Sequence, residues 1–296
     1  MANELTPMVQ QYMDVKQQHP DELLFFRLGD FYEMFFDDAV TASRELNLTL
    51  TGRAGGLEER IPMCGVPYHA VDSYIARLIK KGYRIAICEQ MEDPRLAKGL
   101  VKREVTKIVT PGTALSEQLL SDAQSRYLVF LQEADGVLAL ALAEVSTGEC
   151  RYFLDGGSES MLAVEEQLYK LQPAELVVKP GISCWDELEA WLKVKMPQCL
   201  CSFYKEAAPG TDWVQQHFGA QTLEPLAKET VQCLLDYLHA TVKADLSQIN
   251  KLERIETDRF MNLDATAIRN LELIKNMRDG GKKGTLLDVL DFTSTS

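Results

Sequence analysis

A phenylalanine two residues before a glutamate has chemical uses if it is held at the surface, and GDFYEMF at residues 29–35 can hold one there. Gly29 and Asp30 can turn the chain, which would place Phe31 at the start of an extended run. Side chains in an extended segment alternate with period two, so Phe31 and Glu33 would project on the same side. An aromatic ring can stack or wedge, and a carboxylate beside it can accept a hydrogen bond. The residues alone leave a second possibility open, in which Phe31, Tyr32, Phe35 and Phe36 are all core.

Polar and basic residues nearby could support such a site. Arg53 and Arg60 flank the Gly-rich stretch TGRAGGLEER (51–60), and Asp30, Thr51 and Arg53 are placed to reach phosphates or a groove edge. Backbone around Met63, Gly65 and Pro67-Tyr68-His69 can line the same surface, as can Lys107 and the turn at Pro111-Gly112. Each of these also has an ordinary structural use. His69, just ahead of a helix, reads as a cap or packing residue, not as a catalyst.

The charge is −13 over 296 residues, which argues against a protein whose whole surface grips a polyanion. Its distribution is uneven. Residues 1–115 hold 14 basic and 16 acidic residues, so nearly all the excess acid lies later. Residues 77–107 hold 9 basic residues (Arg77, Lys80, Lys81, Arg84, Arg95, Lys98, Lys102, Arg103 and Lys107) against 4 acidic. Phosphate contact, if any, belongs to the first part of the chain; a solvated basic face is the plainer reading.

Three other motifs attract attention and carry less. GGKKGT (280–285) lacks the GxxxxGK[ST] spacing of a phosphate-binding loop and follows no strand. Cys199 and Cys201 form an isolated pair among 7 cysteines, and neither they nor the 4 scattered histidines make a zinc set. An odd number of cysteines in apolar surroundings reads as reduced core thiols, which points to the cytoplasm. No apolar run approaches the roughly 20 residues of a membrane helix. The polar start lacks a signal peptide's apolar stretch, so export is not expected.

The elements that must position these residues alternate. Helices are expected over 7–18, 37–47, 70–82, 160–172, 186–195 and 229–246. Strands are expected over 22–29, 48–51, 83–90, 103–113, 126–133, 136–145, 148–154 and 174–180. Asp135-Gly136 and Thr147-Gly148 mark hairpin turns, and 51–60 reads as a loop. The fold class is α/β. Polar ALSEQLLSDAQS (114–125) is the expected junction, giving domains at 1–115, 116–250 and 251–296. The second, with three consecutive strands and then alternating helices and strands, has an RNase H-like layout. Residues 251–296 open an amphipathic helix with Ala267, Leu271 and Ile274 at helical spacing, and then break off as if cut from a larger protein.

GDFYE (29–33), IPMCGVPYHA (61–70), AICEQMEDP (86–94), IVTPGT (108–113) and DRFMNLDATAIRNLEL (258–273) occur in an order and spacing that resemble MutS mismatch-repair proteins of the bacterial type. The resemblance runs over the whole chain and is strongest in 20–113. It implies a mixed-sheet mismatch-recognition domain, an RNase H-like connector and the start of an all-α core domain.

It also implies roles. Phe31 would enter the minor groove and stack on a mispaired or unpaired base, and Glu33 would hydrogen-bond that base. The implied partners are double-stranded DNA with mismatches or small insertion/deletion loops, MutL, and a second MutS subunit in the complete protein, with this chain alone monomeric. ATP and Mg²⁺ would belong to an ATPase domain elsewhere in that protein, leaving this chain non-enzymatic and without a cofactor. Cytoplasmic, nucleoid-associated placement follows. Two other classes stay open on the residues alone: a metal-dependent nuclease using Asp30 and Glu33, or Glu144 beside Ser146 and Thr147, and a protein-interaction fragment.

Overall fold

The computed structural model describes residues 5–56, 59–92, 99–114, 126–205, 210–256, 263 and 265–292. The expected junction at 114–125 lies outside these residues, apart from Ala114, as do Arg95 and Lys98 of the basic run and most of 258–264. The chain divides into two compact units, Met1–Ser121 with Tyr237–Leu246, and Asp122–Asp236 with Ser247–Ser296.

The first unit is built on a six-stranded mixed sheet. Its strands are β1 (Leu23–Leu28), β2 (Phe31–Phe35), β3 (Thr51–Arg53), β4 (Ile61–Pro67), β5 (Ile85–Gln90) and β6 (Arg103–Val109), in the spatial order β3-β4-β2-β1-β5-β6. Only β1 and β5 pair in parallel. Three helices accompany it: α1 (Pro7–Gln18), α2 (Phe36–Leu46) and α3 (Val71–Ile79).

Helices cover both faces at the centre of this sheet, and most side chains of its central strands are apolar and buried there. Phe25, Tyr32, Met34, Cys64 and Val66 pack with residues of α2 and α3 on one face. Leu24, Phe26, Phe35 and Ile61 pack with Val9 and Tyr12 of α1 on the other. Tyr12 makes edge contacts to Phe26 and Phe35, with ring centroids 5.4 and 5.0 Å apart. Buried Asp38, in the first turn of α2, ties α1 to β1. It accepts the Tyr12 hydroxyl at 3.0 Å, the Leu24 N–H at 3.0 Å and Lys16 Nζ at 2.9 Å.

The second unit holds β7 (Leu128–Ala134), β8 (Val137–Glu144), β9 (Glu149–Asp155), β10 (Glu175–Val178), β11 (Leu200–Phe203) and β12 (Lys251–Arg254), ordered β11-β10-β7-β8-β9-β12. The first three form an antiparallel meander, while β10, β11 and β12 join in parallel. The β7–β8 turn has both central residues left-handed, Asp135 at φ 51° and Gly136 at φ 76°, as a type I′ hairpin requires. Its helices are α4 (Ser160–Leu171), α5 (Trp185–Lys195), α6 (Trp213–Phe218) and most of α7 (Pro225–Val242), with short α8 (Ala265–Asn270) and α9 (Leu286–Leu290) later.

Several expectations are corrected. The strand expected at 48–51 starts at Thr51, and the segment read as a loop supplies β3. Residues 61–67, which carry no strand pattern, form β4, and 200–203 form β11. Residues 251–254, assigned above to a third domain, form β12 beside β9. The helix expected through Ile274 ends at Asn270, leaving Leu271 and Ile274 exposed. Among the described residues, no helix is long and apolar enough to cross a membrane.

Candidate nucleic-acid interface

The strands β1 and β2 are joined by two residues, Gly29 and Asp30, since Leu28 pairs with Phe31. Gly29 has φ 58° at the first central position, where two-residue hairpin loops favour glycine. The turn is braced from both sides. The Asp30 carbonyl accepts the Tyr68 N–H at 2.9 Å, and Arg27 Nε donates to the Gly29 carbonyl. Phe31 therefore opens β2 at the end of the sheet.

Along β2 the alternation is clean. Tyr32 and Met34 face the α2–α3 side and are buried, while Phe31, Glu33 and Phe35 face the α1 side. Phe35 is 1% exposed beneath Tyr12, and Phe31 is 47% exposed. Four residues at ~3.3 Å each set the two rings ~13 Å apart along the strand. The cover that α1 gives to Phe35 does not extend to Phe31.

Register fixes the neighbours of this face. Phe31 stands opposite Pro67, Glu33 opposite Gly65, and Phe35 opposite Met63. Thr51 pairs with Met63 and Arg53 with Ile61 on the next strand. Residues paired across antiparallel strands share a face. Thus Thr51, Arg53, Met63, Gly65 and Pro67 line the same face as Phe31 and Glu33.

Glu33 does not stand alone. Arg53 Nη1 donates to Glu33 Oε2 at 2.6 Å, with side chains 39% and 17% exposed. The Thr51 hydroxyl is used locally, donating to the Met63 carbonyl at 3.0 Å. Gly65 leaves space beside the acid: a Cβ there would lie 3.2 Å from the Tyr32 carbonyl and 3.4 Å from Glu33 Cγ.

The remaining candidates separate from this cluster. Arg60 is exposed at the far end of β4, its stem against Gly52. His69 is exposed in the 3-10 turn Tyr68–Ala70 that leads into α3, with its ring edge-on to Tyr68 at 5.7 Å. Half-buried Lys107 lies on β6, three strand spacings or ~14 Å from β2. Pro111 and Gly112 are buried, which withdraws that turn from the exposed set. Arg103 also leaves the supposed basic face. It is buried, donates to the Arg27 and Val101 carbonyls and to Gln11 Oε1, and lies 5.0 Å from the Phe26 ring centroid. Burial pushes its guanidinium below the ordinary arginine range.

Arg27 is a residue that sequence reasoning missed. Its guanidinium lies 4.1 Å from the Tyr68 ring centroid and 5.3 Å from that of Tyr32, whose hydroxyl donates to Glu89. Burial and the Glu89 carboxylate raise the Tyr32 phenol. These contacts hold the hairpin and the start of the 3-10 turn together, and their partners lie as far as 57 positions apart in sequence.

The sites set aside on sequence have ordinary work. Buried Glu144 accepts the Ser146 hydroxyl at 2.8 Å and the Thr147 N–H at 2.7 Å, which staples the β8–β9 turn. In GGKKGT the Thr285 hydroxyl caps α9 by accepting the Asp288 N–H, and Lys282 pairs with Asp291 at 2.8 Å. Among the described residues, no group of three or more His, Cys, Asp or Glu is placed to hold a metal ion.

Residues 6–118, which contain the whole first sheet, match the family described as MutS domain I. The chain is 45% identical over 299 residues to the DNA mismatch repair protein MutS of Ruminiclostridium cellulolyticum, covering 99% of this chain and 34% of that protein. It is 42% identical over 301 residues to that of Desulforamulus reducens (99% and 35%), and 43% identical over 294 residues to that of Brevibacillus brevis (98% and 33%). The chain thus carries a match to MutS domain I and is similar to MutS proteins over nearly all of its own length. It spans about a third of the length of the curated MutS relatives it matches. The exposed ring, the acid and the arginine all fall inside the MutS domain I match.

Proposed function

We propose that this chain reads mismatches in duplex DNA for MutS-dependent repair, with Phe31 as the wedge and Glu33 as the base contact. The observation that carries the reading is the exposure of Phe31 on the same strand face as Glu33, while Tyr32, Met34 and Phe35 are buried. An exposed ring at a sheet end can enter a base step, and its strand is held by pairing with β1 on one side and β4 on the other.

Unstacking a base step costs on the order of a few kcal/mol. A mispaired or unpaired base has already lost part of its pairing and stacking, so it is cheaper to displace. Deformability is read, not sequence. Stacking on a phenyl ring returns roughly 1–3 kcal/mol and tolerates any base. A carboxylate near phosphates costs much the same on every duplex but gains a hydrogen bond only where a displaced base offers a donor. That asymmetry favours the mismatch.

The wider assignments rest on the family. The second unit, with its antiparallel meander joined by parallel strands, is proposed as the RNase H-like connector that relays the signal to an ATPase domain and to MutL. Residues after β12 are proposed to open the helical core. ATP, Mg²⁺ and the MutS dimer belong to the complete protein, and we assign this chain no cofactor and no cleavage chemistry, a monomeric state, and a cytoplasmic, nucleoid-associated setting. Duplex DNA incubated with it in Mg²⁺ or Mn²⁺ is expected to stay intact.

The test is titration of matched and G·T-containing duplexes at controlled salt. Phe31→Ala should abolish the preference for G·T, and Glu33→Ala should lower discrimination more than bare affinity. A folded Phe31→Ala protein that still preferred the G·T duplex would overturn the reading.

A further inference from the structure

We infer that Arg53 is a latch on Glu33 that is released to a DNA phosphate only when Glu33 finds a mismatched base; this rests on the proposed reading of Phe31 and Glu33. Arg103 and Arg53 differ in how firmly they are held. Arg103 is fixed: it is buried, its described hydrogen bonds all go to neutral groups, and it packs over Phe26, the residue directly opposite Glu33. Arg53 is releasable. It belongs to the three-residue edge strand β3, it is 39% exposed, and a single 2.6 Å hydrogen bond joins it to Glu33. Solvent screens the pair from the arginine's side, which keeps it weak enough for a phosphate to compete for the arginine.

The consequence is a coupling between base reading and backbone grip. On a matched duplex Glu33 meets no displaced donor and keeps Arg53. On a mismatched duplex the acid transfers its hydrogen bond to the base, and Arg53 is free to neutralise one phosphate. Arg53 thus converts recognition of one base into one added phosphate contact, and it determines specificity without touching the base.

Salt dependence counts phosphate contacts, with log affinity falling against log salt by about 0.9 per phosphate neutralised. For the chain as it stands, the slope should be steeper by about 0.9 on a G·T duplex than on its matched counterpart. Arg53→Gln should erase the difference by flattening the G·T slope. Glu33→Gln should erase it by steepening the matched slope. Arg53→Lys, which keeps the charge, should preserve it. Equal slopes in the unmodified chain, or an Arg53→Gln change that flattens both slopes alike, would overturn the latch. A second measurement needs no DNA: rotation of the Arg53 guanidinium, followed by NMR, should speed up in Glu33→Gln, and an unchanged rate would overturn the pairing. If Phe31→Ala removes mismatch preference while these slopes fail, only the latch is lost. If Phe31→Ala retains the preference, the underlying reading is lost with it.

Discussion

Gly65 lies directly across from Glu33 on adjacent antiparallel strands, where a side chain would press on the Tyr32 carbonyl and touch the glutamate stem. A Cβ there would stand 3.4 Å from Glu33 Cγ and 3.2 Å from the Tyr32 carbonyl. Gly65→Val would therefore crowd the acid and press on β2. It is expected to cost about 1–3 kcal/mol of stability, as overpacking does, and to weaken G·T preference, with Gly65→Ala milder on both counts. Thermal melting and duplex titration read the two effects; undiminished discrimination in Gly65→Val would show that the acid's position does not matter.

Phe31 and Phe35 share one strand and one face but should respond oppositely to truncation. Phe35→Ala removes a fully buried ring packed on Tyr12 and should cost about 3–5 kcal/mol. Phe31→Ala removes an exposed ring and should change stability by less than about 0.5 kcal/mol. Urea unfolding of both variants checks this. A large loss from Phe31→Ala would mean the ring is structural.

Asp38 holds α1 against the sheet. Asp38→Ala would strand the Leu24 N–H and leave the Tyr12 hydroxyl to the Phe35 carbonyl and Lys16 to the Glu22 carbonyl, and should cost about 1–3 kcal/mol. Denaturant unfolding reads it, and a loss under about 1 kcal/mol would show that the network contributes little.

The cysteines give a pH prediction. Burial pushes Cys64 up to about 11, and Cys88 and Cys150 up to about 12, from an ordinary 9.0. A folded-state value raised above the unfolded one gives stability that is full below pH 9 and is lost as pH climbs toward 11–12. The melting temperature should hold steady below pH 9 and fall above it. Cys201 is the exposed cysteine among the described residues, so it should react first with iodoacetamide near pH 8. Peptide mass mapping would show the order, and early labelling of Cys88 would contradict the packing.

Strands that the sequence hides are those whose partners supply the reason to be extended. Thr51-Gly52-Arg53 sits beside a Gly-rich stretch and reads as loop, yet pairing with Ile61–Met63 makes it β3. Ile61–Pro67 carries two prolines and a glycine, poor residues for a strand interior. It extends because β2 and β3 offer it backbone partners on both sides. Lys251–Arg254 is polar and short, and only the free edge of β9 recruits it. Long helices and apolar strands were legible because their periodicity records one buried face.

What the sequence determined by itself is local: the Gly29-Asp30 turn, the alternation that sets Phe31 and Glu33 on one side, and the residue types at those two positions. Backbone geometry imposes these over a few residues, so spacing is enough to read them. What the tertiary structure decided is which distant groups meet that pair: Arg53 as the partner of Glu33, Gly65 as its open neighbour, and Arg103 and Pro111 as interior residues. Cross-strand register decides these meetings. Register is set by packing both faces of the sheet at once, a condition spread over the whole unit and written in no single segment.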